Sequence, residues 1–175
     1  MILSVKGNVV RRRLGAVVLA LGLVATAAHA QPERAPVRVD AAGLRAMLAA
    51  LGYPSRESGN ESGVELEIVL RPPDGRAITT RVTLSKDGAI VWLVAWLKSV
   101  PPGRTISGNA ILGMLVENDA MGPMHFSYNE SRRWFFLNKP VVNQDLSADR
   151  LRAELAHLGS SVARTEALWD PDRWR

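Results

Sequence analysis

Residues 89–97 are nine consecutive apolar residues, bounded by Asp87-Gly88 and Pro101-Pro102-Gly103, and they include Trp92 and Trp96. A helix crossing a bilayer needs about 20 such residues, so this run is a strand and not a span. Ile90, Trp92, Val94 and Trp96 point one way, and Ala89, Val91, Leu93, Ala95 and Leu97 point the other. A strand apolar on both faces reads as a central strand covered on both sides. Two alternating segments precede it. Val64, Leu66, Ile68 and Leu70 interleave with Glu65, Glu67 and Val69, and Ile78, Thr80, Val82 and Leu84 form a second set. Asp87-Gly88 is a strong hairpin signal between the second strand and the tryptophan strand.

Helical periods flank these strands. Asp40 can cap a helix whose Leu44, Met47, Leu48 and Leu51 share a face, and Gly52 sits where it would end. Residues 54–63 are polar and read as a loop. Beyond Pro102 a second helix takes Ile106, Ala110, Leu112, Met114, Leu115 and Val116 as apolar positions, with Gly122 past its end. Two strands follow, around 124–128 and 132–138. Ser147 then caps a last helix with Asp149 in its first turn and Leu151, Leu155, Leu158, Val162 and Trp169 on its buried stripe. The order α-β-β-β-α-β-β-α with hairpin links predicts an α+β fold, a mainly antiparallel five-stranded sheet with three helices.

This pattern predicts that Trp92 and Trp96 are buried under the first and last helices, against Leu44, Leu48, Leu155 and Val162. The opposite face, Val91, Leu93 and Leu97, is expected to meet Ile111 and Leu115 of the second helix or another subunit. Those five residues are the candidate binding surface, because a flat apolar face left open is an interaction site.

The N-terminus has three parts. Lys6 and Arg11 to Arg13 carry charge without an acid, residues 14–27 are apolar, and Ala28-His29-Ala30 offers a signal-peptidase site. The expected organisation is a signal peptide over 1–30, a short lead-in over 31–39, one domain over 40–170 and a tail over 171–175. Cleavage after Ala30 predicts a periplasmic or secreted protein with no stable membrane insertion. It leaves 145 residues with 18 basic against 17 acidic, so the basic balance of the full chain belongs largely to the leader. That argues against nucleic acid as a partner. With no cysteine, neither disulfides nor thiolate metal sites can hold the exported domain together.

No nucleophile elbow or phosphate-binding glycine loop is present. The mature chain has two histidines, His125 and His157, with no carboxylate at zinc-helix spacing. No metal, no cofactor and no catalytic residue is therefore expected. The alternative is a small enzyme with a scattered site around His125 with Glu117 or Asp119. Arg132 and Arg133 beside Trp134, Phe135 and Phe136 read as a hairpin start with two solvated arginines and inward aromatics.

Five features occur together over about residues 40–170. They are the Leu84-Ser85-x-Asp87-Gly88 turn into a tryptophan strand, Leu115-x-x-Asn118, and the Phe126-Ser127-Tyr128 strand. An aromatic strand ending near Leu137 and a leucine-rich helix ending near Trp169 complete the set. In these the chain resembles the bacterial sensory-transduction regulator family, which is similar in fold to type III secretion chaperones. The resemblance implies a non-enzymatic chaperone-like domain, often a homodimer, that binds a protein or peptide segment. These are packing and turn motifs, and none carries a catalytic residue.

Overall fold

A computed structural model describes residues 37–60, 63–72 and 74–174. The expected leader and residues 31–36 of the lead-in lie outside the described residues, as does Arg175. The elements are α1 (Ala41–Ala50), β1 (Arg56–Asn60), β2 (Gly63–Leu70), β3 (Ile78–Leu84), β4 (Ile90–Ser99), α2 (Gly108–Ala120), β5 (His125–Asn129), β6 (Trp134–Val142), α3 (Ala148–Arg164) and the short α4 (Glu166–Trp169). A 3-10 turn, Pro171–Arg173, follows.

The α1 boundaries follow from local chemistry. The Asp40 carboxylate accepts the Gly43 N–H at 2.8 Å, satisfying one of the orphan donors of the first turn. At the other end Gly52 has φ 82, and the Gly52 and Tyr53 N–H groups close back on the Ala49 and Leu48 carbonyls. This is a Schellman termination, which requires the left-handed conformation glycine adopts most easily. Ser107 and Ser147 cap α2 and α3 in the same manner as Asp40 caps α1.

The sheet is antiparallel throughout, in the order β1-β2-β3-β4-β6-β5. Among the described residues it has six strands, one more than the sequence pattern gives. The additional strand is β1, within the segment read as a polar loop. Paired on one side only, it needs no apolar alternation, and polar Arg56 and Glu57 sit opposite Glu67 and Leu66 of β2. Its outer end is tied to α1 by the Arg45–Glu57 ion pair.

One face of the sheet is the core. Leu66, Ile68, Val82, Val91, Leu93, Ala95 and Leu137 are all buried there, under Leu44 and Leu48 of α1 and Leu151, Leu155, Leu158 and Val162 of α3. The tryptophans are on the other face, opposite to the expectation. The register decides this: Leu84 pairs with Val91 and Val82 with Leu93, whereas Thr83 pairs with Trp92 and Arg81 with Val94. Cross-strand partners share a face, so the polar positions of β3 carry Trp92, Val94 and Trp96 with them.

Two buried polar groups are satisfied in this core. Asn143 donates to the Val39 and Gly88 carbonyls, 2.8 Å each, and accepts the Val39 N–H at 3.2 Å, fastening the incoming chain to the β3–β4 turn. Lys139, buried under α3, reaches the Glu154 carboxylate at 2.8 Å and His157 Nδ1 at 2.6 Å. His157 is thus part of the support of Lys139. An ammonium can only donate, so Nδ1 is the accepting nitrogen.

The C-terminal turns are clasped to β4. Lys98 Nζ donates to Asp170 at 2.8 Å and to Asp172 at 2.6 Å, and Arg104 joins Asp172 at 3.2 Å. The hydrogen bond and charge of Lys98 hold the Asp172 carboxyl below its ordinary value, while Asp170 and then Asp172 raise the Lys98 ammonium. The Asp172 contribution is present above its unfolded carboxylate value and is lost as pH falls through the lowered folded value. Amides of residues 166–174 should therefore lose hydrogen-exchange protection, relative to intrinsic rates, as pH falls below the ordinary carboxylate range. Lys98→Met should bring the same loss at neutral pH; protection unchanged by either treatment would show that the clasp contributes nothing.

Candidate functional site

The outer face of the sheet has an apolar centre and a polar rim. Trp92, Val94, Trp96 and Phe136 occupy the centre, each only half-buried, while Glu65, Glu67, Arg81 and Thr83 lie on the β2–β3 side. Asn138, Ser127, Asn129 and His125 lie on the β5–β6 side. Among the described residues no helix packs its apolar face here, because α1 and α3 bury theirs on the other side.

Trp96 organises the face. Its ring meets Trp134 edge-on at 5.7 Å and Phe136 at 5.4 Å. The Arg81 guanidinium stands 4.9 Å from the ring centroid and that of Arg132 5.7 Å. Arg81 is paired with Glu65: Nη1 donates to Oε1 at 3.3 Å, and Nε lies 2.9 Å from Oε2 as an ion-pair contact without hydrogen-bond geometry. Arg132 makes no ion pair among the described residues, and its backbone N–H is held by the Asn129 side chain at 2.9 Å. Trp92 meets the His125 ring edge-on at 6.5 Å, and Asn138 Nδ2 donates to Ser127 Oγ at 2.7 Å. Together Glu65, Arg81, Trp92, Trp96, Arg132 and Asn138 line much of a shallow cleft of about 550 Å³.

A second exposed feature lies along α2. Leu112, Leu115 and Val116 are 62%, 58% and 70% exposed, a contiguous apolar stripe. The helix is docked beside the edge of β5 by Asn118. Its Oδ1 accepts the Phe126 N–H at 2.6 Å and its Nδ2 donates to the Phe126 carbonyl at 3.4 Å. The amide thereby substitutes for one residue of a neighbouring strand, which accounts for asparagine three residues beyond Leu115.

The five residues expected to form one binding surface do not come together. Val91 and Leu93 are in the core at 0% exposure, because the register turns them toward α1 and α3. Leu97 packs against the core, while Ile111 and Leu115 are exposed on α2. The arginines also differ from expectation. Arg133 is structural: it donates to the Val100, Pro101 and Arg104 carbonyls, with φ 51. Arg132 belongs to the tryptophan cleft. Trp134 and Phe136 point outward and only Phe135 is buried.

His125 and Glu117 engage separate partners. His125 Nδ1 lies 3.2 Å from the Pro123 carbonyl, and the Glu117 carboxylate is paired with Arg164 at 2.8 Å. Among the described residues no group of three His, Cys, Asp or Glu side chains could hold a metal ion. No described helix is long and apolar enough to cross a membrane.

Among solved structures, a chain of the ExsC–ExsE complex superposes with TM-score 0.53 at 17% identity, over 72% of this chain and 90% of that one. A chain of the HopA1–SchA chaperone–effector complex superposes with TM-score 0.51 at 12% identity, over 69% and 88%. The fold is chaperone-like. No family model and no curated protein matches the chain. The likeness is one of fold: both superpositions cover most of the other chain, at identities too low to carry residue roles.

Proposed function

We propose that this is a non-enzymatic, chaperone-like domain that binds a protein segment on the outer sheet face. The observation carrying the reading is the outward set Trp92, Val94, Trp96 and Phe136, which no described element covers. Half-buried aromatics grouped on a rigid sheet make strong anchors, since they offer large area with little rotamer freedom to lose. The test is capture from envelope extract on the immobilised mature domain, wild type against Trp92→Ser/Trp96→Ser. A protein retained by the wild type and released by the folded variant supports the reading; equal retention contradicts it.

The leader pattern places this binding outside the cytoplasm in the proposal. Mass spectrometry of the protein from its native host should give Gln31 as the first residue, and an exported chain retaining residues 1–30 would contradict it. We further propose a homodimer that pairs the α2 stripes, motivated by Leu112, Leu115 and Val116. Leu115→Glu should convert a dimer to a monomer in sedimentation equilibrium without lowering thermal stability of the fold; a wild-type monomer would contradict this pairing.

A further inference from the structure

The polar side chains around Trp96 specify more than an apolar partner. Resting on the segment-binding reading above, we propose that the occupant of the cleft is an acidic extended segment, with a carboxylate seated on Arg132 and neighbouring apolar side chains on Trp92 and Val94. The charges of the cleft do not cancel. Glu65 and Arg81 neutralise each other through two contacts, which leaves Arg132 as the unbalanced cation among the described lining residues.

The environment of Arg132 suits a carboxylate. Its guanidinium lies 5.7 Å from the Trp96 ring centroid, and an indole neighbour orients the group without using its N–H donors. Those donors can then donate to both oxygens of a carboxylate in a fork, at little extra cost in side-chain ordering. Beyond it the surface is apolar along β4, where Trp96, Val94 and Trp92 stand at alternate positions, about 7 Å apart along the strand, with Phe136 paired to Trp96. Successive side chains of an extended segment alternate in direction, so carboxylates and apolar groups placed two residues apart share the face toward the sheet. A lysine-rich segment would meet the unbalanced guanidinium with like charge.

Calorimetric titration with two short soluble peptides tests this. Both repeat valine and leucine at every second position of the face-down set, with glutamate at the others in one peptide and lysine in the second. The glutamate peptide should bind at least about tenfold more tightly, with the difference shrinking between about 50 and about 500 mM salt. Arg132→Gln should erase the difference and Arg132→Lys should keep part of it; Arg132 is exposed, so both variants should fold. Equal affinities, a preference for the lysine peptide, or a difference untouched by Arg132→Gln overturns the acidic preference while leaving segment binding intact. If neither peptide binds and polygalacturonate does, the site takes acidic glycans and both readings fall. Binding of none of the three overturns the proposal, and segment binding itself is then decided by crosslinking from the sheet face.

Discussion

Leu93→Ala should cost about 2–5 kcal/mol, a large share of the roughly 5–15 kcal/mol that holds a domain of this size folded. Leu93 is at 0% exposure between Val82 and Lys139, under α3, so its removal leaves a cavity in a packed layer. The neighbouring change, Trp92→Ala, deletes more atoms yet should cost less. Trp92 stands on the outer face, half-buried, and its loss opens no enclosed void. Thermal and urea denaturation of the two variants gives the comparison directly. If Trp92→Ala proves the more destabilising, the assignment of the two faces is wrong.

The second large effect is on binding. Trp96→Ala should weaken the captured partner by about 2–4 kcal/mol, roughly 30-fold to 1,000-fold, because Trp96 supports Arg81, Arg132, Trp134 and Phe136 together. Trp92→Ala should weaken it less, since its ring contact with His125 is peripheral to that cluster. Trp96→Phe should retain part of the affinity, as an aromatic face remains beside the two guanidinium groups. Loss of binding in proportion to loss of folded protein would assign the effect to stability instead.

The element order and the class of the fold are legible in the sequence because periodicity and caps are local. Leu44 and Leu48, and Leu151, Leu155, Leu158 and Val162, are the buried helical positions the 3.6 spacing selects. Edge strand β1 is illegible for the same reason: a strand beyond the cover of the helices has no apolar face to repeat. The reversal at β4 has a different origin. Both faces of the strand are apolar, so alternation within it cannot say which is inside. The adjoining turn can. If Asp87-Gly88 is centred between the strands, Leu84 falls opposite Val91 and Thr83 opposite Trp92, the register the sheet adopts. Leu84 continues the apolar set of β3 and Thr83 the polar one, so the outward tryptophans follow from the hairpin. The positions of Arg81 and Arg132 beside Trp96 depend on β3, β4 and the β5–β6 turn together, a juxtaposition that no local pattern encodes.

The central claim, that the outer tryptophan face is where a protein segment docks, can be tested with a photoreactive residue placed at Val94 in the middle of that face and, separately, at Arg152 on the exposed side of α3. After irradiation in the native host, the account predicts a defined protein adduct from position 94 and none from position 152. Adducts of equal yield from both positions, or none from position 94 while the same partner crosslinks elsewhere, would contradict it.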